Sequence, residues 1–194
     1  MLRLSLLLIL MALPAVAAPL SGVKTAELSA QLYAAGVAAD DPLLLIAAAK
    51  LRKSVAFRGE GEAPLGWEAM LAAAEALVAD DAALLGLIGD VRAEGIKGVA
   101  SGPMYSIGTL ANGGVDRFPS VGFAAGDYAE IYVEAQGEAD LNLRVFDAKG
   151  QLVCADTNPS PIAYCGWTAA GSEGFVMQVE NAGPQDTSYA LMTN

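Results

Sequence analysis

The stretch Glu130-Ile131-Tyr132-Val133-Glu134-Ala135 alternates strictly. Ile131, Val133 and Ala135 fall on one face of an extended chain and polar groups fall on the other. A period of two over six residues is the pattern of a β-strand with one buried face. Downstream, Leu141-Asn142-Leu143-Arg144-Val145 repeats it. Asp147-Ala148-Lys149-Gly150 then reads as a tight hairpin turn with glycine at the left-handed position, after which Leu152-Val153-Cys154 pairs back. Further strands are predicted at 163–167, 175–180 and 188–192. About seven short strands at regular spacing, from residue 99 to 194, predict an antiparallel β-sandwich.

Upstream of residue 99 the pattern changes. Alanine and leucine dominate and β-branched residues are few, so helices are predicted at 26–36, 43–55, 67–78 and 82–94. Asp41-Pro42 supplies an N-cap followed by proline at the first helical position. Asp80-Asp81 caps the last helix, and Gly95 stops it. Shifting the chain by 40 residues lays Ala39-Asp40-Asp41 on Ala79-Asp80-Asp81, Leu44-Leu45 on Leu84-Leu85, and Arg52 on Arg92. Two helical hairpins packed as a four-helix unit are preferred to a superhelical array, because two copies are too few for a stable solenoid. The runs 43–46 and 84–88 are read as filling that bundle's core rather than as a peptide groove. The fold class is therefore α+β in two parts, an N-terminal helical bundle over 18–98 and a C-terminal sandwich over 99–194.

Residues 1–17 carry an export signal. Arg3 gives the positive start, 4–13 is almost wholly apolar, and Pro14 precedes the small-x-small site Ala15-Val16-Ala17, so cleavage is expected before Ala18. The apolar run falls short of the ~20 residues a span needs, and no membrane span is expected after leader removal. The expected location is periplasmic or secreted. The whole chain has 22 acidic and 11 basic side chains, no histidine, and a net charge of −11. Its acidity argues against nucleic acid and against anionic membrane surfaces as partners. Without histidine, Ser-His and Cys-His catalysis and imidazole zinc sites are excluded. In an exported chain, the pair Cys154 and Cys165 reads as a disulfide stapling neighbouring strands around the Asn158-Pro159-Ser160-Pro161 turn. Free thiols or a redox couple are the alternatives, although a redox couple normally has Cys-x-x-Cys spacing. Trp167, two residues beyond Cys165, is expected to cover the bridge.

Several runs in the sandwich resemble a known family. They are Ile107-Gly108-Thr109-Leu110, then Asp116-Arg117-Phe118, then Val121-Gly122-Phe123-Ala124-Ala125-Gly126-Asp127. The central Ala139-Asp140-Leu141-Asn142-Leu143-Arg144-Val145-Phe146-Asp147 with Gly150, and the closing Phe175-Val176-Met177-Gln178-Val179-Glu180-Asn181 and Tyr189-Ala190-Leu191, complete the set. Together they resemble the bacterial pre-peptidase C-terminal domain over about 103–194. The resemblance implies a β-sandwich module, attached to secreted enzymes or found alone, that is similar to collagen-binding modules and is not itself catalytic. The cysteine pair departs from that family's general pattern, and the helical half resembles no protease domain.

Some relatives of this sandwich hold calcium, and Asp140, Asn142, Asp147, Asp156 and Asn158 are oxygen donors close in sequence. They match no EF-hand spacing and are read first as turn residues bonding their own backbone. No cofactor is expected, with calcium the one metal considered. Two functions follow for comparison. The favoured one is an exported, non-catalytic binding or accessory protein whose sandwich contacts an envelope or extracellular protein or polysaccharide. The other is a small exported hydrolase with a carboxylate-based site at the junction of the halves, which requires two carboxylates facing one another in a deep pocket. No Gly-x-Ser-x-Gly elbow supports a serine nucleophile.

Overall fold

The computed structural model describes residues 20–59, 65–95, 102–137 and 139–194. The leader and its cleavage site at Ala15, Ala17 and Ala18 lie outside these residues, as does the 98/99 boundary. Four helices come first: α1 (Gly22–Ala39), α2 (Pro42–Ser54), α3 (Trp67–Val78) and α4 (Ala82–Ala93). Nine strands follow: β1 (Met104–Leu110), β2 (Val115–Arg117), β3 (Val121–Gly122), β4 (Tyr128–Ala135), β5 (Leu141–Phe146), β6 (Leu152–Asp156), β7 (Ile162–Thr168), β8 (Gly174–Asn181) and β9 (Thr187–Thr193). Two more strands form than the alternation predicts. β2 and β3 are three and two residues long, too short to show a period.

The helices start where their caps dictate. α1 begins four residues before the predicted start, because Ser21 Oγ accepts the Lys24 N–H at 3.0 Å. Asp41 Oδ1 accepts the N–H groups of Leu43 and Leu44 at 2.9 and 3.3 Å. Forty residues on, Asp81 Oδ1 accepts those of Ala83 and Leu84 at 2.9 and 3.1 Å. The internal similarity thus extends to the cap geometry. α2 is the central helix, touching α1, α3 and α4. Leu45, Ile46 and Ile88 enter the core with Met70 and Leu71, whereas Leu43, Leu85 and Leu87 are exposed. A helix in a single layer buries only part of its circumference, so these leucine runs divide between core and surface.

The sandwich consists of two antiparallel sheets. One has the order β1-β9-β4-β7; the other has the order β2-β8-β5-β6, with β3 also on β8. Between the sheets lie Ile131, Val133, Leu141, Leu143, Val145, Cys165, Val179 and Leu191. The opposite face of the first sheet is also covered. Every residue of β4 after Tyr128 is buried, and Tyr132, Ala190 and Met192 belong to the same apolar cluster as the helices. The polar face of the opening motif therefore meets the helical layer, not water. Full burial of a residue such as Met192 contributes roughly 1.5–3 kcal/mol, which helps hold that layer on the sheet.

Cys154 and Cys165 are disulfide-bonded, with Cα atoms 5.9 Å apart. The expectation that the bond staples a hairpin is corrected. β6 pairs with β5 and β7 pairs with β4, so the bond joins the edge strands of opposite sheets. The turn between them is the physical reason. It contains two prolines that cannot donate to a ladder. Its backbone is also fixed elsewhere: the Ala135 and Leu141 N–H groups donate to the carbonyls of Pro161 and Ser160 at 2.9 and 2.8 Å. The chain crosses from one sheet to the other there. Trp167 packs against Phe123 and Phe175, with ring centroids 5.4 and 5.1 Å away.

Candidate functional site

The junction of the two halves contains three buried carboxylates, each already engaged. Glu134 is 0% exposed and accepts two hydrogen bonds from Arg52, at 3.0 and 2.7 Å. The Tyr132 hydroxyl donates to it at 2.9 Å. Burial pushes the Glu134 carboxyl above the usual carboxylate range, while Arg52 and Tyr132 pull it back. Tyr132 is pushed well up, first by burial and then by the Glu134 charge. Glu130 accepts from the Tyr164 hydroxyl at 2.8 Å. Glu27 pairs with Lys24 and accepts from Gln31 Nε2 at 2.9 Å. An acid and base working on a glycosidic bond need a substrate between them. Glu134 instead faces a guanidinium and a phenol within the core.

A groove opens beside this buried cluster, about 710 Å³ in volume. Four parts of the fold build it. The C-terminal half of α1 supplies Tyr33, Ala34 and Val37, the approach to α3 supplies Leu65, and its first turn supplies Met70. The turn before β7 supplies Pro161, and the C-terminal end of β4, with Ala135 and the following Gln136, completes the wall. Its polar groups are few, chiefly Tyr33, Gln136 and Ser160, and among the described residues no carboxylate or cation lines it. Volumes of roughly 300–1,000 Å³ with apolar walls are typical of binding sites. This groove is made jointly by helices and sheet, and residues from four separate segments meet only in the fold. The sequence reading weighed a peptide groove only on 43–46 and 84–88, and none of those residues lines this one.

The calcium candidates are dispersed. Asn142 Nδ2 donates to Glu180 at 3.3 Å, on the second sheet. Asp147 accepts the Lys149 and Gln151 N–H groups at 2.9 and 2.8 Å and so shapes its own hairpin turn. Asp156 Oδ1 accepts from Asn158 Nδ2 at 2.9 Å, and its Oδ2 from the Tyr164 N–H at 3.0 Å. Asp140 sits at the other end of β5 from Asp147, its carbonyl accepting the Ala182 N–H at 2.7 Å. Only Asp156 and Asn158 are brought together, and they hold the turn that forms the groove wall. Among the described residues no three acidic or cysteine side chains gather as a metal would require. No described helix is long and apolar enough to cross a membrane.

Comparison with protein families finds no match, and neither does comparison with curated proteins. Among solved structures, the chain is similar to the pre-peptidase C-terminal domain of a collagenase from Bacillus anthracis. The identity is 13% over 47% of this chain and 89% of that one, with a TM-score of 0.42. It is also similar to PliG of Aeromonas hydrophila, a periplasmic inhibitor of g-type lysozyme, at 13% identity, 47% and 84% coverage, and a TM-score of 0.36. A carbohydrate-binding module of Cellvibrio mixtus lichenase 5A matches at 14% identity, 46% and 86% coverage, and a TM-score of 0.29. Likenesses this distant identify no family, and the sandwich assignment rests on the two sheets themselves.

Proposed function

We propose that the chain is an exported, non-catalytic binding protein that takes an apolar segment of a protein partner into the groove between α1, α3 and the β6–β7 turn. The observation that carries this reading is the lining of the groove, apolar and, among the described residues, free of any acid–base couple, while the junction carboxylates are bound to partners of their own. A protein suits the groove better than a polysaccharide. Sugar stacking favours broad exposed aromatic faces, and the two tryptophans are withdrawn: Trp167 packs on Phe123 and Phe175, and Lys53 covers the Trp67 ring at 4.1 Å, which leaves the half-buried Tyr33 as the aromatic ring lining the groove among the described residues. The inter-sheet disulfide supports an oxidising compartment, and the sequence resemblance to the pre-peptidase C-terminal domain supports a module rather than an enzyme.

The test uses the full exported chain immobilised against envelope extract, beside an Ala34→Lys variant that places a charged chain in the groove. A protein retained by the parent and lost by the variant is the expected result. Retention of glycans on an array, with no groove-dependent protein, would overturn the reading. Mass spectrometry of protein from its native host checks the export step, with a mature N-terminus at Ala18 expected.

A further inference from the structure

We infer that the groove's partner is a basic amphipathic helix, a deepening that rests on the binding reading above. The first reason is charge. Among the described residues of the helical half there are six basic side chains, and each has an internal partner. Lys24 pairs with Glu27, Lys50 with Glu94, Arg52 with Glu134, and Arg92 with Glu75. Lys53 Nζ donates to the carbonyls of Val91 and Arg92, and Arg58 Nε to that of Gly102. The acids are not matched in the same way. Asp40 lies two residues beyond the groove residue Ala38, Glu68 directly precedes Ala69, and both are exposed without a basic partner among the described residues. Among the described residues, the unpaired charge next to these lining residues is therefore negative. It disfavours the carboxylate of a fatty acid, an anionic phospholipid headgroup, and a second copy of this chain with its net charge of −11.

The second reason is shape. The walls that face the groove are helical surface and a turn whose backbone groups are already bonded: the Pro161 carbonyl accepts from Ala135, and Ser160 Oγ accepts the Ile162 N–H at 3.1 Å. These groups of the turn are therefore not open to an added strand. On α1, the lining residues Ala30, Ala34 and Ala38 repeat every four positions, one row of a helix surface, so a second helix can approach closely. A helix seats apolar side chains at i, i+3 or i+4, and i+7 in such a groove. Lysines flanking that face would meet Asp40 and Glu68.

The experiment is fluorescence anisotropy of the full exported chain with a synthetic helix of about 18 residues carrying a leucine stripe and flanking lysines. A second helix has glutamate at every lysine. The lysine helix is expected to bind at least tenfold tighter than the glutamate helix, and its affinity to fall between 50 and 500 mM salt. Ala34→Lys should weaken it at least tenfold, and the control Ala72→Lys, exposed elsewhere on α3, less than twofold; circular dichroism confirms that both variants fold. Equal binding of the two helices, indifference to Ala34→Lys, or a dimer in sedimentation velocity that Ala34→Lys dissociates would each overturn the inference. If neither helix binds while envelope extract still yields a protein lost by Ala34→Lys, the partner class fails and the binding reading stands. If that protein is also missing, both fail.

Discussion

Glu134→Gln tests the contact on which the joining of the two halves depends. The substitution keeps the shape of the side chain and its acceptor for the Tyr132 hydroxyl but removes the charge. Arg52 is 2% exposed, and its guanidinium then loses the carboxylate it faces. It is left with the Ala26 carbonyl at 3.3 Å and an amide oxygen. Breaking one side of a buried ion pair costs about 3–5 kcal/mol, because the remaining charge is uncompensated. That is a large part of the ~5–15 kcal/mol a whole domain has. Adding Arg52→Met removes the orphaned charge, and the double variant should recover to within about 1–2 kcal/mol of the parent. Urea unfolding at pH 7 provides the measurement, following Trp67 in the helical half and Trp167 in the sandwich in separate single-tryptophan backgrounds. Both probes should shift together, because the pair ties α2 to β4. A cost below about 1 kcal/mol for Glu134→Gln, or no recovery on adding Arg52→Met, would refute the reasoning.

Replacing Cys154 and Cys165 together by serine should lower stability by about 3 kcal/mol, the chain-entropy value for so short a loop; an unchanged urea midpoint would show that the bond constrains nothing. Gly108→Ala should cost roughly 1–3 kcal/mol, since a methyl group there comes within 2.6 Å of the Tyr189 ring across the strand pair. Gly89→Ala, in the open face of α4 with nothing within 4 Å, should stabilise by about 0.5–1 kcal/mol, and thermal melts of the two variants should move in opposite directions. Glu180 is held below the usual carboxylate range by the hydrogen bond from Arg144 at 2.6 Å, aided by Asn142. The folded state therefore binds fewer protons there, so the pair's contribution is present above the unfolded value of about 4.3 and fades as pH falls through the folded one. Arg144→Ala should flatten the acid limb of stability against pH below about 4, and an NMR titration should show the Glu180 midpoint rising.

The strand alternation determined the inner face of the sandwich. Ile131, Val133, Leu141, Leu143 and Val145 alternate with polar neighbours, and a pleated strand must send them to one side. The helix caps were equally local, because Asp41 and Asp81 satisfy N–H groups only two and three residues away. The other face of β4 was decided by tertiary structure. Glu130, Tyr132 and Glu134 read as a solvent face, since a carboxylate in an alternating strand is normally hydrated. Here Arg52, 82 residues earlier, reaches Glu134 and makes its burial tolerable. The same distance hides the groove, whose walls come from α1, α3 and a turn near residue 160. The cysteine pairing was legible from count and compartment, but the strands it joins were not. Neighbours in sequence lie on opposite sheets because the Asn158–Pro161 turn is pinned by Asp156, Ala135 and Leu141, contacts that exist only once both sheets have formed.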